Sequence, residues 1–140
     1  MQSLELNSEL GAAELLPLGL ELSDGGKNEP SKWLRMSMTY FIEGKKITSC
    51  DPSLTVEELL ELFQILSSQP IKQAYEPVES ELGFFFDSEF EKSYILVDYA
   101  LLPQLDHTKA WGYDGPLKMS FCQSRLDITQ ILGAWCERFS

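Results

Sequence analysis

The chain contains a single histidine and three cysteines in 140 residues, and its basic side chains are half as many as its acidic ones. Each scarcity excludes something. The one histidine, His107, stands in Leu105-Asp-His-Thr-Lys109 beside Asp106. It could act as a base, but no GxSxG, HExxH or comparable motif supplies a nucleophile or metal partner. It reads as a loop histidine without a catalytic role. Cys50, Cys122 and Cys136 are far apart and form no CxxC or Cys/His cluster, so neither a zinc site nor a disulfide framework is expected. Three reduced thiols packed as small hydrophobes are expected instead, in a reducing, cytoplasmic setting.

No Gly-rich phosphate loop is present either. Gly25-Gly26 lacks both a following helix and a Walker lysine, so no cofactor is expected. Long apolar runs are missing, and Met1-Gln-Ser-Leu-Glu-Leu6 has no basic segment, so neither a signal peptide nor a membrane anchor is expected. Eleven basic residues against twenty-two acidic ones give a formal charge of −11 and a pI near 4.4. That charge repels nucleic acid at long range and steers a basic partner inward. Arg35, Lys45 and Lys46 are the one local basic cluster near aromatics, and Lys45-Lys46 is more simply part of a turn.

What the chain does have is a core. Hydrophobic residues make up 44% and aromatic residues 11%, enough for one domain over residues 1–140 that needs no metal or disulfide. Leu4–Leu6 and Leu15–Leu22 read as strands, because Pro17 argues against a helix. In Trp33–Ile42, the residues Leu34, Met36, Met38, Tyr40 and Ile42 alternate with the rest, as in a half-buried strand. Glu43-Gly-Lys-Lys46 is the hairpin turn, and the chain returns over about Lys46–Cys50. Further strands are expected at Gln73–Val78, Glu81–Asp87, Lys92–Leu101 and Leu117–Phe121, with Asp87–Glu91 as a hairpin connection.

Two helices complete the pattern. Thr55 and Glu58 have capping-box spacing, and Val56, Leu59, Leu60, Phe63 and Leu66 follow at helical intervals until Pro70. Glu57, Glu58 and Glu61 read as its solvated edge rather than a metal site. The second helix, capped by Ser124 or Asp127, carries Ile128, Ile131, Leu132, Trp135, Cys136 and Phe139 on one face. The expected fold is α+β: a mainly antiparallel sheet of about six to seven strands with two helices packed on it.

The carboxylates Asp87, Glu89, Asp98, Asp106 and Asp114 offer a glycosidase-like pair by residue type alone, and nothing in the spacing fixes two of them at a working separation. A protein-binding surface is the better reading. Lys109–Gly115 concentrates Trp111, Tyr113 and Asp114 between glycines. Trp and Tyr supply contact area at low entropic cost, while carboxylates pair with basic residues of a partner. Asp106, Asp87 and Glu89 complete the candidate partner-binding set. Phe85 and Phe90 read as part of a second core face.

The layout resembles the WapI-type immunity proteins. The likeness runs from about Leu18 to Phe139 through Pro30-Ser-Lys-Trp-Leu-Arg-Met-Ser-Met, Cys50-Asp-Pro-Ser-Leu-Thr-Val-Glu-Glu-Leu, Tyr75-Glu-Pro-Val-Glu, Leu82-Gly-Phe-Phe-Phe and Leu126-Asp-Ile-Thr-Gln-Ile-Leu. This resemblance implies a bacterial cytosolic antidote that binds and blocks the toxin domain, typically a nuclease, of a contact-dependent toxin. It carries no catalytic motif. The physics is compatible: a nuclease presents a basic groove, and an acidic inhibitor can imitate phosphates there. The alternative reading is a non-catalytic structural or regulatory module with another protein partner, followed by an enzyme dependent on His107.

Overall fold

The computed structural model describes residues 1–22, 32–68, 73–75, 81–103 and 116–139. Their strands are β1 (Leu4–Ser8), β2 (Gly11–Leu22), β3 (Lys32–Ile42), β4 (Lys45–Thr55), β5 (Gln73–Tyr75), β6 (Leu82–Phe86), β7 (Tyr94–Val97) and β8 (Leu117–Phe121). The helices are α1 (Val56–Ser67) and α2 (Arg125–Phe139). All eight strands join one antiparallel sheet in the order β4-β3-β2-β1-β8-β7-β6-β5, so the α+β expectation holds. Each half of the chain is a four-stranded meander followed by a helix. Within the sheet the halves join where β1 lies against β8, with Leu6 opposite Phe121 and Asn7 opposite Ser120.

The period-two pattern places the core. Leu34, Met36, Met38, Tyr40 and Ile42 of β3 are all buried, as are Leu82, Phe84 and Phe86 of β6 and Ile95 and Val97 of β7. Between β3 and β4, Glu43 (φ 50°) and Gly44 (φ 77°) form a two-residue turn, the left-handed pair that matches the twist of a hairpin. β4 runs on to Thr55, past the expected end at Cys50. Pro52 is tolerated because β4 is an edge strand, where a missing N–H breaks no ladder bond. Register shifts occur between Pro17 and Gly19 on β2 and beside Arg35 on β3, opposite Pro52 and Leu54. Such irregularities bend long strands, which lets strands of eleven and twelve residues follow the helices beneath them.

The capping box of α1 is present in full: Thr55 Oγ1 accepts from Glu58 N at 3.1 Å, and Glu58 Oε1 accepts from Thr55 N at 2.9 Å. That closure corrects the reading of Glu58 as solvated, because folding back onto Thr55 buries it. Leu60 is also corrected. Leu59, Leu62 and Leu66 are the buried leucines, whereas Leu60 lies about 100° round from Leu59 and is exposed.

Ser124 caps α2 by accepting from Asp127 N at 3.1 Å, and Ile128, Ile131, Leu132, Trp135 and Phe139 are buried as their spacing required. α1 has no basic residue in its last turn. Arg125 supplies one from α2: its Nε and Nη2 donate to Leu66 O at 3.1 and 2.7 Å, and Nη2 also donates to Ser68 O. A forked cation on the negative end of a helix satisfies carbonyls and dipole together. Arg125→Ala is therefore expected to cost about 1.5–3 kcal/mol in urea unfolding. Arg125→Lys should recover only part of it, since an ammonium lacks the planar fork.

Candidate functional site

Of the six candidate partner-binding residues, Asp87 and Glu89 are described, and Asp106, Trp111, Tyr113 and Asp114 lie outside the described residues. Asp87 follows β6. Its Oδ1 accepts from Glu89 N at 3.0 Å, and its own N–H donates to Ser93 Oγ at 2.8 Å. The carboxylate thus shapes the turn, leaving the exposed Glu89 and Glu91 as the outward charges of this connection. Phe90 in the same turn stacks on Phe121 at 5.4 Å and packs against the core. Phe85 instead stacks on Tyr94 at 4.9 Å, with Lys118 Nζ 4.2 Å from the Tyr94 ring centre. The two phenylalanines take different partners and do not form one second core face.

The strand expected over Lys92–Leu101 stops at Val97. Asp98 ends it: its Oδ1 accepts from Tyr99 N at 2.9 Å, and a single 3-10 turn, Tyr99–Leu101, follows. The segment then passes to β3 and β4 and is fastened to both. Tyr40 Oη donates to Leu101 O at 2.6 Å and Ser49 Oγ to Leu102 O at 2.8 Å. Burial pushes the Tyr40 phenol well above its ordinary pKa, so it remains a donor at any physiological pH. Tyr99 continues the alternation of Ile95 and Val97 in sequence yet is exposed, whereas Leu101 is buried. The sequence signal for the break is an aspartate at a capping position with Pro103 closing the stretch.

Strand register separates Asp87 from Asp98. Leu82, Val97 and Leu117 lie side by side at one end of β6, β7 and β8, and Asp98 and Pro116 adjoin that end. Asp87 adjoins the opposite end of β6, about 15 Å away at the rise of a strand. Asp98 and Asp87 each bond a backbone N–H and sit at opposite ends, so they are not a paired acid and base.

The sheet face away from the core carries no helix among the described residues. Glu5, Ala12, Thr48, Lys118 and Ser120 are exposed on it. At its centre Glu5 of β1 stands directly opposite Glu14 of β2. Like charges in that position repel and destabilise a sheet. Cys122 lies beside Glu5. Partial desolvation and then that carboxylate push its thiol up, and burial does the same for Cys136, so neither is an activated thiolate. All three cysteines are free. Cys50 and Cys136 are half-buried, while Cys122 is exposed rather than packed inside as expected.

Among the described residues no group of three or more His, Cys, Asp or Glu side chains could hold a metal ion, and no helix is long and apolar enough to cross a membrane. Compared with family models, curated proteins and solved structures, the chain finds no match in any of the three.

Proposed function

We propose that this domain is a non-catalytic binding protein whose partner is a basic protein domain, and specifically an immunity-type inhibitor of a toxin domain, with a nuclease as the fitting toxin class. The observation that carries the reading is the opposed Glu5–Glu14 pair on a helix-free sheet face of a chain with formal charge −11. A repulsion built into a fold is relieved when a cation from a partner arrives, so the pair favours association over isolation. A nuclease has such cations in its substrate groove.

The test uses the polypeptide encoded immediately upstream, with its activity disabled. The two are expected to co-purify, and their association rate should fall steeply as salt is raised. Glu14→Lys should raise the stability of the free domain by about 0.5–1 kcal/mol, because it replaces a repulsive cross-strand pair with an attractive one. The same change should slow association. Failure to co-purify, or an association rate indifferent to both salt and Glu14→Lys, would sink the proposal.

A further inference from the structure

Among the described residues, three other than glycine have positive φ: Glu43, Phe90 and Tyr99. The left-handed region is costly for such side chains, so each instance calls for a cause. Glu43 has one, the two-residue hairpin turn between β3 and β4. Phe90 has another: its ring stacks on Phe121 and packs against the core. Tyr99 (φ 51°) has neither. Its side chain is 65% exposed, and its ring makes no aromatic stack among the described residues.

The backbone around it is nonetheless held closely. Asp98 N donates to Glu81 O at 2.9 Å, Leu101 N to Asp98 O at 3.3 Å and Leu102 N to Tyr99 O at 3.0 Å. The Asp98 carboxylate and the hydroxyls of Tyr40 and Ser49 hold the same stretch. Continued alternation after Ile95 and Val97 would have placed Tyr99 in the core. Glycine would have made the reversal without steric cost. The chain instead turns a large aromatic outward from a fixed base, the arrangement of a pre-organised contact residue. Its charge surroundings are mixed: Asp98 is adjacent in sequence, and the turn at the same end of the strands carries Glu43 together with the exposed Lys45 and Lys46, within a chain of formal charge −11.

We infer that Tyr99 is an anchor for a basic protein partner, its ring face taking an arginine or lysine side chain while adjacent Asp98 and the net negative charge of the chain supply the attraction. The inference rests on the protein-binding reading above and names a contact residue within it. The strain at Tyr99 is then the cost of displaying a recognition group, a pattern found where backbone outliers serve binding.

The test compares Tyr99→Gly and Tyr99→Phe with the unsubstituted domain, using the same upstream-encoded toxin domain as probe and measuring both thermal unfolding and Kd. Tyr99→Gly should unfold at the same temperature or a few degrees higher, since glycine accepts the conformation, and should bind at least about tenfold more weakly. Tyr99→Phe keeps the ring face and should stay within about threefold of the unsubstituted affinity. Tight binding by Tyr99→Gly would overturn the inference and leave the broader reading standing. A clear loss of thermal stability in Tyr99→Gly would also overturn it, by making the tyrosine a structural residue. If the unsubstituted domain fails to bind the probe, both readings fall together.

Discussion

Trp135→Ala is expected to destabilise the domain by about 3–5 kcal/mol, the range for removing a fully buried large aromatic. Trp135 is only 1% exposed, and its indole Nε1 donates to Gln2 O at 2.9 Å. The substitution therefore opens a cavity beside α2 and orphans a carbonyl just before β1. A domain of this size has about 5–15 kcal/mol in total, so the variant should unfold at much lower urea or fail to accumulate. Trp135→Phe separates the contributions. It keeps most of the apolar volume but removes the N–H donor, so about 1–2 kcal/mol should be lost. Equal losses in the two variants would mean that the hydrogen bond, and not the volume, ties α2 to the sheet.

Gly11→Ala is the second large effect, expected at about 3 kcal/mol from backbone strain combined with overlap. Gly11 begins β2 at φ 132°, a conformation that side chains rarely adopt. A Cβ there would stand 2.5 Å from Phe41 O, a backbone atom of β3 that cannot swing aside like a side chain. The cost should appear as a lower urea midpoint and as faster amide exchange around Ala12–Ala13 and Tyr40–Phe41, where β2 pairs with β3. Gly44, which also has positive φ, would meet nothing within 4 Å. Gly44→Ala should therefore be milder than Gly11→Ala, because strain acts there without overlap.

The legible parts of the fold were those governed by local periodicity. Leu34 through Ile42 on β3 and the Thr55–Glu58 box each depend on residues two to four apart, and each appears where the pattern placed it. Features set by distant contacts were not legible. Glu58 looked solvated because its charge was visible, whereas its capping partner decides its burial. The end of β7 was missed because Tyr99 and Leu101 continue the alternation, and the break depends on an aspartate side chain bonding the next N–H. The order in which β1 meets β8, and the reach of Arg125 to α1, join residues 59 or more positions apart and have no local signature. For the candidate site the limit is of the same kind. Acidic and aromatic residue types were visible, but the opposition of Glu5 to Glu14 is a matter of register, and the outward turn of Tyr99 a matter of one backbone angle.

The narrow seam between β1 and β8 also bears on how the protein is made. Of these eight strands β1 is the first to leave the ribosome, and β2 can cover only one of its edges. The other edge waits for residues 117–121, and thus for more than a hundred further peptide bonds. At ordinary elongation speeds that interval is on the order of ten seconds. Throughout it the nascent chain carries Leu4 and Leu6 on a strand open along one side, a ready template for another chain. An N-terminal meander released early by a stalled ribosome would keep that edge for good, which makes it the natural substrate of holding chaperones and the first part of the molecule to aggregate in their absence.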